Sequence, residues 1–102
     1  MTVQLIILGT RCANSDDGYA ACAAVAGPLM AAAGGRFTGR FGHIDDLAGA
    51  SGPQQVGIME FPDEEAVRTA FESLEYQAVV PQRDKTFENL NIILAAAPPA
   101  TP

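Results

Sequence analysis

Four side chains of this 102-residue sequence are of types that move protons or hold negative charge: His43, Glu60, Arg40 and Arg83. His43 is the only histidine, so any imidazole acid or base must be this residue. Glu60 lies in the otherwise apolar run VGIMEF, where a carboxylate is either paired or destabilised as an anion, and a destabilised anion would suit a general base. The arginines each offer a bidentate fork to a carboxylate or enolate oxygen. These types indicate proton transfer next to a carbonyl group.

The same residues also have a structural interpretation. Glu60 could simply pair with Arg83 or Arg40, because a carboxylate in a sheet needs a partner. Arg83 paired with Glu60 or Glu75 would then tie the second helix to the sheet. His43 and Asp45 are two residues apart, so Asp45 would share a strand face with His43 and could fix its tautomer. A histidine beside a ligand, without a catalytic duty, fits the spacing equally well.

Three further residues are candidates for ligand contacts. Tyr76 could donate its hydroxyl into a pocket, or bury its ring and bond to the backbone. Tyr19 and Arg11 follow the first predicted strand and would line the corner where the first helix begins. Cys12 and Cys22 are ten residues apart in a chain with one histidine, so the spacing of a zinc site is absent. Phosphate-loop and nucleotide-binding motifs are also absent, so we expect no metal and no cofactor.

The elements that must position these residues follow the order β-α-β-β-α-β. Apolar runs predict strands over 3–9, 36–44, 56–61 and 90–95. Ser15 and Asp63 are predicted N-caps of two helices. The first helix ends at Gly34-Gly35, and the second runs to about residue 74, with a break and then residues 75–80 before Pro81 and Arg83 begin a connection. This order predicts an α+β, ferredoxin-like fold with a four-stranded antiparallel sheet and two helices on one face.

The first and last predicted strands indicate how the two faces of the sheet are covered. The runs VQLIILG (3–9) and LNIILA (90–95) are apolar at nearly every position, whereas a sheet that is wet on one face would alternate. Both faces of the sheet are therefore expected to be covered, one by helices and one by a second copy of the chain. The segment 45–55, rich in Gly, Ala, Ser and Pro, is long for a hairpin loop and is predicted to close a binding site.

The second half of the chain resembles a known family. The strings Glu60-Phe61-Pro62 and Ser73-Leu74-Glu75-Tyr76-Gln77, followed by Arg83, are similar to the pattern of a small bacterial family of unassigned function. That family belongs to the dimeric α+β barrel superfamily with ferredoxin-like topology, and its pattern also matches Arg40 before Gly42. The resemblance implies this fold and a homodimer. Monooxygenases, isomerases and polyketide cyclases within the superfamily make a small-molecule enzyme plausible by analogy.

Composition and charge exclude several classes of protein. The net charge is −6 and no cluster of Lys or Arg is present, so binding to a nucleic-acid backbone is not expected. No apolar run approaches the ~20 residues of a membrane span, and no basic region precedes the first apolar run. We expect a cytoplasmic protein with one domain over 1–97 and a Pro-rich tail over 98–102.

Together these features predict a cofactor-free homodimeric enzyme of the isomerase, cyclase or lyase type. It would act on a small, partly apolar carbonyl compound in a cavity between sheet and helices. His43 or Glu60 would take the proton, and Arg40 and Arg83 would stabilise the oxyanion. The alternative is a non-catalytic ligand-binding or stress-related homodimer. Two other possibilities are a cofactor-free monooxygenase and a haem-binding protein using His43.

Overall fold

The fold follows the predicted order of elements, with one more helix, three longer strands and a second strand that ends two residues earlier than predicted. The computed structural model describes residues 2–96. The predicted domain boundary at residue 97 and the Pro-rich segment 98–102 lie outside that range. The elements, in chain order, are β1 (Val3–Arg11), α1 (Asp16–Ala32), β2 (Arg36–Gly42), β3 (Gln55–Phe61), α2 (Glu64–Glu72), α3 (Leu74–Thr86) and β4 (Phe87–Ala95).

The four strands form one antiparallel sheet in the order β2-β3-β1-β4. The apolar strand β1 is central and β4 is an edge strand, while the shorter and more polar β2 forms the other edge. This arrangement confirms the predicted ferredoxin-like fold. Within residues 2–96, no helix combines the length and the apolar composition that crossing a membrane requires.

The predicted break near residue 74 is confirmed, and it divides the second predicted helix into two separate helices, α2 and α3. Ser73 both ends α2 and begins α3: its hydroxyl donates to the Ala70 carbonyl at 2.7 Å and accepts from the Tyr76 N–H at 3.2 Å. The helix then continues through Pro81 to Thr86, although Pro81 was expected to begin a connection. One serine that satisfies backbone groups of both helices explains why the chain turns here without a loop.

An irregularity in β2 changes which of its side chains share a face. Strict alternation predicts that Phe37 and Phe41 lie together, opposite Arg36 and Arg40. The register shifts between Phe37 and Gly39, as in a β-bulge, so that Phe37 lies opposite Met59 and Arg40 opposite Gly57. Because Met59 is buried under the helices, Phe37 and Arg40 both face the helix layer. Phe41 instead pairs with Val56 on the opposite face.

The two faces of the sheet differ in how they are covered. The core lies between the sheet and the helices. It is built from buried residues of all the layers: Val3, Leu5, Met30, Met59, Phe61, Val67, Ala70 and Tyr76. The other face carries Ile6 and Leu8 of β1, with Ile58 and Val56 opposite them. Phe41 and Ile93 also lie on this open face and are 58% and 45% exposed. This apolar open face bears out the expectation that the strands are apolar on both sides.

Candidate functional site

A cavity of about 640 Å³ lies between the sheet and α1, in the layer where sequence reasoning placed the ligand. Its floor comes from β1 and β3, and its roof from α1. Four of the predicted site residues line it. These are Tyr19, Arg40, Tyr76 and Arg83. Apolar side chains make up most of the remaining wall, so the cavity suits a mainly apolar molecule with few polar groups.

The cavity exists because α1 presents small side chains toward the sheet. Ala23, Ala26, Gly27 and Ala31 all lie in its wall, and a Cβ built on Gly27 would meet nothing within 4 Å. A helix packed on a sheet needs large side chains to fill the space between them. On α1 only Cys22 and Met30 are buried. The Ala-rich composition of this helix therefore leaves room for a ligand.

The most buried residue with a hydroxyl group in the cavity wall is Tyr76, which is 4% exposed. Its ring packs on Phe71 with 4.6 Å between ring centroids. The Nη1 atom of Arg83 donates to this hydroxyl oxygen at 3.1 Å, while Nε and Nη2 of Arg83 donate to Asp84 at 3.2 and 3.1 Å. Because the hydroxyl oxygen accepts from Arg83, its own proton is free to be donated to a ligand.

The charge of Arg83 is secured by these contacts. Partial burial by itself works to lower the pKa of Arg83, because it disfavours the charged form. The hydrogen bond to Tyr76 and the contact with Asp84 outweigh burial, and the pKa of Arg83 is raised. The cavity therefore holds a permanent cation beside a hydroxyl donor.

Arg40 reaches the cavity from the edge strand β2. Its guanidinium carbon lies 3.7 Å from the centroid of the Phe37 ring, a stacked cation–π contact. Gly57 is opposite Arg40 across the sheet, and a Cβ at Gly57 would lie 3.2 Å from Phe37 Cε1. The missing side chain at Gly57 therefore makes room for the ring on which Arg40 rests.

Tyr19 and Arg11 are in contact near the N-terminal end of α1. The Arg11 guanidinium lies 4.6 Å from the centroid of the Tyr19 ring and 3.3 Å from Asp16. Tyr19 also makes an edge contact with Phe87, with 6.3 Å between centroids. Tyr19 and Phe87 line the cavity, whereas Arg11 touches it only through Tyr19. Arg11 is therefore placed to support the wall and not to contact the ligand.

The side chain of Glu60 points away from the cavity. The predicted ion-pair partners of Glu60 are wrong. It pairs with Gln4 of β1, on the open face of the sheet, and accepts from Arg36 Nη2 at 2.8 Å. Arg36 lies directly opposite Glu60 on β2, before the bulge, whereas the bulge turns Arg40 to the other face. The predicted pairs of Glu60 with Arg83 or Arg40 are therefore not formed, and Glu60 is separated from the cavity by the sheet.

His43 also lies apart from the cavity, with a partner other than the predicted Asp45. The strand ends at Gly42, so the alternation that would align His43 with Asp45 does not continue. The His43 Nε2 atom lies 2.9 Å from Asp46 Oδ1, and Asp46 Oδ2 also accepts from the Gly52 N–H at 3.5 Å. The hydrogen bond from His43 is the leading reason that the pKa of Asp46 is lowered. Asp45 is exposed.

The segment 45–55 does not close the cavity as expected. Of its residues only Gln55, the first residue of β3, lies in the cavity wall. The loop is instead tied to β1 by Gln54, whose N–H donates to Thr10 Oγ1 at 3.1 Å and whose side chain accepts from the Arg11 N–H at 3.3 Å. Ile44, just before this segment, and Leu47 within it are 96% and 97% exposed.

Sequence reasoning missed three residues that shape these sites: Phe37, Arg36 and Asp46. Strict alternation places Phe37 on the same face as Phe41, and the bulge that puts them on opposite faces has no reliable signal in a single sequence. Arg36 was overlooked as the partner of Glu60, although the pairing of neighbouring strands in a ferredoxin-like sheet could have placed it there. A strand that continues to residue 44 aligns His43 with Asp45, whereas β2 ends at Gly42 and the loop brings Asp46 to His43 instead.

The chemistry that the cavity itself can perform follows from its wall. Within residues 2–96 the polar residues of the wall are three arginines (Arg36, Arg40 and Arg83), two tyrosines, Gln55 and the thiol of Cys22, with neither a carboxylate nor an imidazole. Such a wall can bind and polarise an oxygen atom through Arg83, Arg40 and Tyr76. It supplies no strong base of its own.

Comparisons with known proteins agree with this fold. The chain is similar to the protein RPA0582 of unknown function from Rhodopseudomonas palustris, at 20% identity over 99% of this chain and 84% of that one, with a TM-score of 0.83. A dimeric protein of unknown function and ferredoxin-like fold from Bacteroides fragilis matches at 12% identity over 94% and 96% of the chains, with a TM-score of 0.61.

One similar structure carries an activity in its description. SnoaB, a cofactor-independent oxygenase from Streptomyces nogalater, is 15% identical over 99% of this chain and 97% of its own, with a TM-score of 0.65. At these identities the likeness shows the fold alone. No curated protein matches the sequence. The model of the domain of unknown function DUF1330 matches residues 6–97. The chain therefore belongs to the DUF1330 family.

Proposed function

We propose that the cavity binds a small, mainly apolar carbonyl compound and polarises its oxygen for proton-transfer chemistry of the isomerase, cyclase or lyase type. The observation that carries this proposal is the Tyr76–Arg83 pair in the wall of an otherwise apolar cavity. Arg83 fixes the hydroxyl and stabilises negative charge, while the Tyr76 proton is donated to the ligand oxygen. The proton lost from carbon passes to solvent, because the wall formed by residues 2–96 offers neither carboxylate nor imidazole.

A second candidate, binding without turnover, is favoured by that same composition of the wall. His43 and Glu60, the predicted bases, lie on the loop and on the open face. A protein that only carries or senses a ligand needs no base. The likeness to SnoaB also keeps cofactor-free oxygenation as a candidate by analogy.

Deuterium exchange distinguishes catalysis from simple binding. An aryl ketone such as phenylacetone exchanges its α-protons slowly in D₂O, and the exchange is followed by proton NMR. We expect the wild-type protein to accelerate exchange and Tyr76→Phe to lower the acceleration by about a hundredfold, the size of a lost general acid. His43→Ala and Glu60→Gln serve as controls that leave the cavity wall intact.

Each outcome points to one assignment. Loss of exchange in Tyr76→Phe alone supports the proposal. Loss in His43→Ala or Glu60→Gln, with Tyr76→Phe unaffected, would return the proton transfer to the residues that the sequence first indicated. Binding of the ketone without any acceleration by wild type would favour the non-catalytic candidate.

We also propose that the chain works as a homodimer joined through the open face of the sheet. Its exposed and half-exposed apolar side chains, Phe41, Ile93, Ile6 and Ile58 among them, form a contiguous surface across the strands. Surfaces of this kind mark sites of association. The similar protein from Bacteroides fragilis is described as dimeric.

Sedimentation velocity tests this assembly. At micromolar concentration we expect wild type to sediment as a dimer and Ile58→Asp, which places a charge in the middle of the open face, as a monomer. Thr69→Asp, an equivalent change at an exposed position of α2, should leave the dimer intact. A wild-type protein that sediments as a folded monomer would exclude the proposed dimer.

A further inference from the structure

Among residues 2–96, Arg40 differs from the other arginines in having no carboxylate partner. The chain has twelve acidic residues against six basic ones, so an arginine readily finds an acid nearby. Within residues 2–96 each of the other arginines forms an ion pair. These pairs are Arg11–Asp16, Arg36–Glu60, Arg68–Glu64 and Arg83–Asp84. Arg40 instead contacts the aromatic ring of Phe37.

The geometry of that contact leaves the donors of Arg40 free. A guanidinium stacked on an aromatic face directs its five N–H groups sideways, in the plane of the group. Phe37 therefore holds the cation in place without occupying its hydrogen-bonding edge. Since Arg40 belongs to the cavity wall and is itself exposed, this edge is available to a molecule that enters from the side of β2.

Arg40 could serve only to keep the edge strand β2 from pairing with another sheet, but that role does not explain why its side chain faces the cavity. Charged side chains on edge strands prevent pairing with other sheets, and any exposed charge on β2 would serve that purpose. The bulge after Phe37, together with Gly57, turns Arg40 toward the cavity and provides space for the ring beneath it. These two features serve to position a cation at an apolar cavity.

We propose that the ligand is an apolar acid, whose carboxylate or similar anionic group is bound by Arg40 while its body fills the cavity. This inference rests on the proposed function and narrows it. With Tyr76 and Arg83 in the same wall, the ligand class is an oxo acid with an apolar body: the carbonyl oxygen is bound by Tyr76 and the acid group by Arg40.

A matched pair of fluorescent probes tests the need for an anion. 1-Anilinonaphthalene-8-sulfonate and N-phenyl-1-naphthylamine share an aromatic body and differ in the sulfonate, which only the first carries. We expect wild type to prefer the anionic probe, and Arg40→Gln to lower that preference about tenfold, as for loss of a charge-assisted hydrogen bond. Lys85→Gln removes the same charge from an exposed position of α3 outside the cavity wall and should leave the preference unchanged.

The thiol of Cys22 reports where the probes bind. Cys22 is buried in the cavity wall, away from the open face of the sheet. In a Cys12→Ser background, a probe bound in the cavity should slow the reaction of Cys22 with a small disulfide reagent. Both probes should give this protection in wild type, and the neutral probe should still give it in Arg40→Gln.

The outcomes separate this inference from the function on which it rests. Equal binding of the two probes, with Cys22 protected by both, would overturn the role of Arg40 and leave a small-molecule cavity in place. Protection by neither probe would overturn both. A preference for the anion that Arg40→Gln does not reduce would also contradict the inference, because the anion would then be held elsewhere.

Discussion

Two polar pairs of this molecule have similar hydrogen bonds and very different surroundings. Arg83 and Tyr76 meet at 3.1 Å beneath the helices, where Tyr76 is 4% exposed. His43 and Asp46 meet at 2.9 Å in the loop between β2 and β3, where their side chains are 33% and 30% exposed. The first pair faces a cavity and the second faces away from it. Residue type alone favoured His43, whereas the fold favours Tyr76.

The cause of the difference is the backbone that carries each pair. Ser73 caps α3 and so fixes the first turn of the helix, from which Tyr76 is directed into the core. Arg83 follows two helical turns later on the same side. His43 comes after the last residue of β2, where no regular element directs its side chain. A helix thus fixes the direction of a functional side chain more reliably than a loop does.

The largest contrast between the pairs is expected in stability. Tyr76→Ala removes a buried ring packed on Phe71 and should cost about 3–5 kcal/mol of the free energy of unfolding. His43→Ala should change it by no more than about 0.5 kcal/mol, as for other exposed positions. Urea denaturation at a fixed protein concentration measures both. Comparable losses in the two variants would contradict the contrast drawn between the pairs.

A smaller effect is expected when only the hydroxyl is removed. Tyr76→Phe keeps the ring and leaves Nη1 of Arg83 without its acceptor, which should cost about 1 kcal/mol. Arg83 retains Asp84, so the variant should remain folded. The same urea titration measures the loss. A cost as large as that of Tyr76→Ala would show that the hydroxyl and not the ring stabilises the core.

The order of the elements could be predicted from the sequence because strong local signals mark it. Apolar runs mark the strands, and Asp63 begins its helix as expected, with its side chain accepting from the Ala66 N–H at 2.7 Å. The length of α3, the helix that contains Pro81, could not be predicted. Pro81 normally ends a helix, yet here α3 continues for five more residues to Thr86. Tertiary packing overrides the local preference.

The candidate site was predictable in its residue types and not in their directions. A single bulge after Phe37 decides that Arg40 faces the cavity, while Arg36 pairs with Glu60 on the other side of the sheet. A shift of one residue reverses every side chain beyond it, and a bulge has no fixed residue signature here. The cavity, in contrast, follows from the small residues of α1, which are visible in the sequence.

A glycine substitution perturbs the loop pair without touching the core. A Cβ on Gly52 would lie 2.5 Å from Asp46 Oδ1 and 3.3 Å from the His43 ring, so Gly52→Ala should separate His43 from Asp46. We expect stability to change by no more than about 0.5 kcal/mol, with clear shifts in the NMR signals of the His43 ring. Gly27→Ala is the control, because it lies on α1, away from the loop, and a Cβ there meets no atom of another element within 4 Å. Unchanged His43 signals in Gly52→Ala would mean that the pair is not formed.

The smallest effect concerns the titration of Asp46. The hydrogen bond from His43 is the first reason that the folded pKa of Asp46 lies below its ordinary value of 3.8. A lowered pKa means that the contribution to stability is present above 3.8 and is lost as the pH falls through the folded value. Carboxyl carbon NMR should therefore give a midpoint below 3.8 in wild type and a higher one in His43→Ala. Lys85→Gln, a charge change on α3, should leave the midpoint where it is. If the midpoint of Asp46 were also unchanged in His43→Ala, the hydrogen bond between His43 and Asp46 would contribute nothing to stability. The loop pair would then differ from the Tyr76–Arg83 pair in energy as well as in surroundings.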